Sequence, residues 1–143
     1  MESKVLLRSC WVMMLWMLCA MASAATSEPD NRAVQQAVLE QRVTAKWGAL
    51  LRKDFAAAYA FTSPAYRQLY SLEAFKSKFG GNATWRRIEI LDVAFKDDNA
   101  ATVGINLHFV YYQLQPDKAL NMTTYIQEPW VRLDDNWWSL VRE

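Results

Sequence analysis

The order of the hydrophobic patterns along the chain most constrains its fold. The segment Trp47–Gly81 has apolar residues at helical spacing, interrupted by residues that commonly cap helices, and this pattern predicts short helices. From Thr84 onward the apolar period changes to two, which is typical of half-buried strands. Helices followed by strands within one domain predict an α+β fold, in which the helices pack on one face of an antiparallel sheet.

The first 24 residues have the pattern of a secretory signal peptide. Lys4 and Arg8 precede the uncharged apolar run Cys10–Met21, and Ala22-Ser23-Ala24 offers a cleavage site after Ala24. An uncleaved anchor is the alternative, although a helix needs about 20 apolar residues to span a bilayer. We therefore expect an exported protein, periplasmic or secreted, with a signal peptide over 1–24, a short flexible stretch over 25–30 and one domain over 31–143. No stable membrane insertion is expected after cleavage.

Composition excludes several classes of function. Both cysteines, Cys10 and Cys19, lie in the predicted signal peptide, so the exported domain is expected to have no disulfide and no thiolate metal site. With a single histidine as well, we expect no transition-metal site and no cofactor. The chain has 16 Lys and Arg against 15 Asp and Glu, without a basic run. Nucleic acid is therefore not expected as a partner, because phosphate binding needs clustered positive charge.

Three helices are predicted before the sheet. The first begins near Pro29, whose fixed φ suits an initial helical turn, and continues to about Lys53. Asp54 is a suitable N-cap for a second helix, and Ser71 for a third. Their predicted ranges are Phe55–Phe61 and Leu72–Phe79, with a further turn from Ser63-Pro64 through Tyr66 and a stop at Gly80-Gly81.

About four antiparallel strands are predicted after the helices. Ala101–Gln113 alternates strictly, with Val103, Ile105, Leu107 and Phe109 on one side, which indicates a strand with one buried face. Its partner changes phase at Leu91-Asp92, as a β-bulge would cause. Pro129 in the third strand predicts a sheet edge or a second bulge. The other predicted strands and connections are Trp85–Lys96, the turn 97–99, the connection Gln115–Lys118, Leu120–Leu133 and Trp137–Val141.

In these features the chain resembles the NTF2-like superfamily, the SnoaL-like or ketosteroid-isomerase-like cone-shaped α+β barrels. The similar segments are packing residues and turns over most of the predicted domain: Trp47–Lys53, Asp54–Tyr59, Ser63-Pro64, Ser71–Phe75, Trp85, Glu128, Trp130-Val131 and Trp137-Trp138. The resemblance implies three helices on a strongly curved sheet, and homodimers formed through the sheet. It does not select an activity, because this fold includes isomerases, dehydratases, epoxide hydrolases and non-enzymatic binding or assembly modules.

Two acids and one tyrosine are the candidate catalytic residues. Glu128 shares its strand phase with Met122 and Ile126, which would direct it into the cone, where a partly desolvated carboxylate can act as a general base. Asp92 lies at the predicted bulge, where side chains are re-aimed. Tyr111 is the polar-tipped residue of the apolar stripe. The structural alternatives are an ion pair of Glu128 with Arg132 or Arg87, a solvated Asp92, and a Tyr111 hydroxyl in water.

The remaining aromatic and apolar residues favour binding. His108 has the phase opposite to the apolar stripe, so a surface or interface role is expected for it rather than catalysis. Adjacent strand residues point to opposite faces, so Trp137-Trp138 and Tyr111-Tyr112 cannot all be interior. We expect ligand contacts from Tyr59, Leu107, Phe109 and Trp130, and a sheet interface of His108, Val110, Tyr112 and Tyr125.

Two function hypotheses follow from the sequence. The first is a non-enzymatic module that binds a small apolar molecule in the cone, or a protein partner on the sheet, as a homodimer. The second is a cofactor-independent lyase, isomerase or hydrolase that uses Glu128 or Asp92 as its general base.

Overall fold

A computed structural model of the protein describes residues 28–81, 83–112 and 119–142. The predicted signal peptide and the predicted connection Gln115–Lys118 lie outside these ranges. Within them the chain has a helical first part and a four-stranded antiparallel sheet. The predicted α+β order is therefore confirmed.

The described part of the chain contains four helices, one more than predicted. They are α1 Glu28–Leu51, α2 Phe55–Tyr59, α3 Pro64–Leu69 and α4 Leu72–Ser77. Ser63 caps α3 by accepting a hydrogen bond from the Tyr66 backbone N–H, and Pro64 occupies the first helical turn. This cap satisfies a backbone donor that would otherwise lack a partner, so the predicted single turn continues as a short helix. Asp54 and Ser71 cap α2 and α4 as predicted.

The four strands follow one another in both sequence and space. They are β1 Ala83–Phe95, β2 Ala100–Tyr112, β3 Ala119–Leu133 and β4 Asn136–Ser139, in the order β1-β2-β3-β4. The predicted bulge is present between Ile90 and Asp92, and a second one lies between Trp85 and Arg87. Bulges increase the local bend and twist of a strand, so both contribute to the curvature of β1 around the helices.

Pro129 causes no bulge in β3. It pairs with Thr102 in a register with β2 that continues without a shift. The β4 ladder covers only Trp130 to Leu133, so Pro129 lies just beyond the last residue that pairs with β4. On that side its carbonyl oxygen accepts a hydrogen bond from the Leu140 backbone N–H, so Pro129 remains covered and only its missing N–H interrupts the ladder. Neither of the predicted alternatives, a sheet edge or a bulge, is therefore found at Pro129.

The core lies between α1 and the inner face of the sheet. Leu39, Val43 and Trp47 of α1 are buried at helical spacing, which places them on one side of that helix. The sheet contributes the predicted odd-numbered stripe of β2, together with Trp130 and Trp137. Large side chains thus fill the interior of the cone, including Phe75 of α4.

Two arginines hold β4 against the helices. The Arg42 and Arg67 guanidinium groups lie 5.1 Å and 5.0 Å from the ring of Trp138, and Arg42 also donates a hydrogen bond to the Trp137 carbonyl oxygen. Desolvation by this partial burial lowers the pKa of Arg42 from its ordinary value. Trp137 is fully buried whereas Trp138 is partly exposed, so the two residues divide between the faces as their adjacency predicts.

Candidate functional site

An ion pair lies inside the cone, between α1 and β3. Lys46 Nζ is 2.5 Å from Glu128 Oε1, and the two side chains are 6% and 11% exposed. Glu128 pairs in register with Val103, which is fully buried, so it faces the interior as predicted. Its partner is Lys46 and not the predicted Arg132 or Arg87. Arg132 bonds Asp135 instead, and Arg87 bonds Glu89.

Further hydrogen bonds complete this cluster. The Trp47 indole N–H donates to Glu128 Oε2 at 3.1 Å, and Lys46 also donates to the buried Ser139 hydroxyl at 3.0 Å. The Lys46 ammonium lies 5.6 Å from the ring of Trp130, within the range of a cation–π interaction. Both carboxylate oxygens of Glu128 therefore have protein donors.

The position of Lys46 in the sequence predicts that it is buried, although a charged side chain is usually expected at the surface. Lys46 follows Val43 by three residues and precedes Leu50 by four, so helical spacing places it on the buried side of α1. A buried lysine needs an opposite charge or other acceptors, and Glu128 is the inward-facing acid of the sheet. The helix and strand periods predict the buried side of α1 and the inner face of the sheet. They do not predict which residue of the helix contacts which residue of the sheet.

Asp92 lies on the opposite side of the sheet from Glu128. It pairs with Gly104 of β2, and its Oδ2 accepts a hydrogen bond from the Tyr125 hydroxyl at 3.3 Å. An added Cβ at Gly104 would lie 2.5 Å from the Tyr125 oxygen and closer still to Asp92 Oδ2. The absence of a side chain at Gly104 thus lets this hydrogen bond cross the middle strand. The two predicted catalytic acids do not converge.

His108 is part of a polar network on the outer face of the sheet. Its Nε2 lies 3.1 Å from Glu89 Oε2, and its Nδ1 lies 2.9 Å from Thr123 Oγ1. Hydrogen bonds from Arg87 and His108 lower the pKa of the Glu89 carboxyl group. The face predicted for His108 is confirmed, and this histidine links β1 to β3 across β2.

The other predicted interface residues differ in exposure. Tyr112 and Tyr125 are exposed, whereas Val110 is 7% exposed and belongs to the buried residues. Val110 is flanked in register by Thr84 and Asn121. The expectation that Val110 contributes exposed surface is therefore wrong, since its strand neighbours lie on both sides of this short side chain.

An open pocket lies at one end of the cone. It has a volume of about 280 Å³ and joins the C-terminal end of α1, the start of α2, the segment after α4 and the start of β1. This pocket, called the end pocket below, is lined by Leu50, Leu51, Lys53, Phe55, Phe79, Gly80, Gly81, Ala83, Thr84 and Trp85. This volume is just below the range of roughly 300–1,000 Å³ that is typical of small-molecule sites.

Three aromatic rings form the apolar part of the end pocket. The Phe79 ring lies 5.8 Å from that of Phe55 and 5.6 Å from that of Trp85, measured between centroids. Trp85 in turn packs at 5.6 Å against Trp47, whose indole N–H holds Glu128. The end pocket and the interior ion pair are thus separated by two indole rings.

The residues predicted to contact a ligand lie elsewhere. Leu107 and Trp130 are buried in the core, and the Tyr59 hydroxyl donates to the Tyr70 carbonyl oxygen at 2.6 Å. Phe109 and Tyr111 are nearer, since they pair in register with Trp85 and Ala83 of the pocket wall. None of these five residues lines the end pocket itself. No sequence pattern indicates this site, because its wall combines the ends of four elements, whose mutual positions depend on packing.

The described ranges 28–81, 83–112 and 119–142 contain no cluster of three or more side chains suited to hold a metal ion. None of the helices within them is both long enough and apolar enough to cross a membrane.

Comparison with known proteins reveals similarity of structure but not of sequence. No family model and no curated protein matches the chain. A structure from Catenulispora acidiphila has a TM-score of 0.52 at 14% identity, covering 76% of this chain and 88% of that one. Aln2 from a Streptomyces species has a TM-score of 0.52 at 16% identity, covering 78% and 87%. A ketosteroid isomerase-like protein from Erwinia carotovora atroseptica has a TM-score of 0.49 at 19% identity, covering 72% and 88%.

The element order and the antiparallel β1-β2-β3-β4 sheet define the class of the fold, and the two structures with a TM-score of 0.52 are similar to it. The chain has an α+β fold in which helices pack on a four-stranded antiparallel sheet, which is consistent with the NTF2-like cone predicted from the sequence. At such identities the similarity establishes the fold and assigns no activity.

Proposed function

We propose that this protein is a non-enzymatic binding module that holds a small apolar molecule in the end pocket. The observation that carries the proposal is the contrast between the filled interior of the cone and the open pocket at its end. Tryptophan side chains and the Lys46–Glu128 pair fill the interior, while the end pocket is open and has Phe55, Phe79 and Trp85 in its wall. Small-molecule sites are usually concave and lined by aromatic and apolar side chains together with some polar groups, and the end pocket combines its three rings with a comparable amount of polar surface.

The placement of the candidate catalytic residues favours binding over catalysis. A general base has to come within hydrogen-bond distance of the proton that it removes. Both Glu128 oxygens are bonded to α1 side chains, and Asp92 is on the outer face of the sheet with Tyr125. Tyr111 lies beside the pocket wall without either acid near it in register. The three residues therefore do not form one constellation around a substrate.

Blocking the end pocket tests this proposal. Ala83 lines the pocket, and Ala94 is an exposed alanine of the same strand near its other end. The neutral probe naphthalenemethanol, titrated into labelled protein, should shift the amide NMR signals of Gly80, Gly81 and Trp85. We expect Ala83→Trp to abolish this binding and Ala94→Trp to leave it unchanged, with circular dichroism showing that both variants fold.

Two outcomes would contradict the proposal. One is saturating naphthalenemethanol that shifts no signal of the pocket wall. The other is binding that survives in folded Ala83→Trp, because the probe would then occupy a different site.

Export and self-association belong to the same proposal. The signal-peptide pattern of residues 1–24 supports export, and mass spectrometry of the protein from the periplasm or medium should find a chain that begins at Ala25. The exposed Tyr112 and Tyr125 support a homodimer through the outer face of the sheet. Sedimentation should then show a dimer that Tyr125→Lys converts to a monomer, because the added ammonium would be buried at the interface. A monomeric wild-type chain would contradict the dimer.

A further inference from the structure

We propose that the end pocket selects apolar molecules that carry a carboxylate group, and that Lys53 is the cation that pairs with it. The inference rests on the proposed function, since it names the class of ligand for that pocket. Its evidence is separate, namely the backbone conformation and the charge of Lys53.

Lys53 has a backbone conformation that lysine rarely adopts. Its φ is +61°, in the left-handed region where glycine is the usual residue. The backbone N–H groups of Lys53 and Asp54 donate to the carbonyl oxygens of Leu50 and Ala49, which is the hydrogen-bond pattern of a Schellman motif that ends α1. Glycine would end the helix in this way with less strain. A strained residue that persists at a site suggests a role for its side chain.

Lys53 is the charged member of the pocket wall. The other nine lining residues are apolar, glycine or threonine. Within the described ranges no hydrogen bond, ion pair or aromatic contact engages the Lys53 side chain. Asp54, the adjacent acid, accepts a hydrogen bond from the Ala57 backbone N–H as the cap of α2. The ammonium group of Lys53 is therefore available to an anion bound beside the aromatic rings.

The aromatic rings of the pocket wall determine the shape of the apolar part of the ligand. Phe79 lies between Phe55 and Trp85, nearly parallel to the first and perpendicular to the second. Such a wall offers both stacked and edge-to-face contacts to a flat apolar body. A volume of about 280 Å³ suits one compact ring system rather than a long acyl chain. The ligand class is thus a small aromatic or alicyclic carboxylate.

A pair of matched probes tests the role of charge. Naphthoate and naphthalenemethanol have the same ring system, but only naphthoate is anionic at pH 7. An exposed ion pair is worth roughly 0.2–1 kcal/mol, so we expect wild-type protein to bind naphthoate about 1.4- to fivefold more tightly at low salt. This preference should decrease as salt is raised, because screening weakens exposed pairs.

Variants at Lys53 separate charge from backbone strain. Lys53→Met should remove the preference, so that the affinities for naphthoate and naphthalenemethanol become equal, whereas Lys53→Arg should retain the preference. Lys53→Gly should also remove it, while raising the midpoint of urea unfolding because the left-handed strain is relieved. The control variant is Lys96→Met, which removes an exposed charge in the turn at the other end of β1. It should leave the preference for naphthoate intact.

The outcomes distinguish this inference from the proposed function. Equal binding of the two probes by wild-type protein, or a naphthoate preference that persists in Lys53→Met, would overturn the role of Lys53 and leave the pocket as a general apolar site. Absence of binding by both probes would overturn the pocket proposal and this inference together.

Discussion

Lys46 and Glu128, which are 82 positions apart in sequence, form an ion pair inside the cone. Their side chains are 6% and 11% exposed, and the pair connects α1 to the third strand of the sheet. Desolvating two charges is unfavourable, so such a pair stabilises a fold only when other hydrogen bonds accompany it. Here Trp47 and Ser139 provide them, which makes the pair a structural connection between the two layers.

Replacing one member of this pair should destabilise the protein strongly. We expect Glu128→Gln to reduce the free energy of unfolding by about 3–5 kcal/mol, because the Lys46 ammonium would be left buried without a counter-charge. Urea unfolding followed by tryptophan fluorescence measures the loss. The double variant Lys46→Met/Glu128→Leu should recover most of it, since two apolar side chains remove both charges. Equal losses in the single and double variants would contradict this account.

Two buried tryptophans should respond differently to the same substitution. Trp137 donates its indole N–H to Gln35 Oε1 at 3.2 Å, whereas Trp130 Nε1 has no hydrogen-bond partner among the described residues. Both residues are essentially inaccessible to solvent. Trp137→Phe should therefore reduce the free energy of unfolding by about 1 kcal/mol more than Trp130→Phe, because only the former breaks a hydrogen bond. Thermal and urea unfolding of the two variants provide the comparison, and a reversed order would refute the prediction.

Gly104 should tolerate no side chain while Asp92 and Tyr125 bond across it. We expect Gly104→Ala to destabilise the protein by about 1–3 kcal/mol, since the new methyl group has to displace both side chains. The matched background is Asp92→Ala, in which the contacts with Asp92 are gone and the Tyr125 hydroxyl has lost its acceptor and can turn aside, so the same substitution should have a smaller effect. A double-mutant cycle from urea unfolding measures this coupling. Additive effects at the two positions would show that Gly104 is not required for the Asp92–Tyr125 contact.

The outer-face network should alter the titration of one acid. Arg87 and His108 lower the pKa of Glu89 from its ordinary value of 4.5, so the associated stabilisation is present above that value. It is lost as the pH falls through the lower pKa of the folded state. NMR titration of the Glu89 carboxyl carbon should show a higher pKa in Arg87→Met than in wild-type protein. Lys96→Met, at the β1–β2 turn, should leave the Glu89 titration unchanged; an identical shift there would indicate a general charge effect.

The sequence predicted the elements more reliably than the site. The caps Asp54 and Ser71, the odd-numbered stripe of β2 and the bulge near Asp92 depend on residues close together in the chain, and the structure confirms them. The sequence predicts only a turn in place of helix α3, because Ser63-Pro64 can end one helix as well as begin another. Glu128 was correctly assigned to the interior, but its partner was not identified, since candidate cations lay on several elements.

The sequence alone determined that helices precede strands, which side chains of each element are apolar and where the strand phase changes, because these properties follow from residue spacing and local backbone preference. The tertiary structure decided that Lys46 meets Glu128, that tryptophans fill the interior and that a pocket opens at the end near Lys53. These features arise where separate elements come together. Their positions depend on how the layers pack, which no local period encodes.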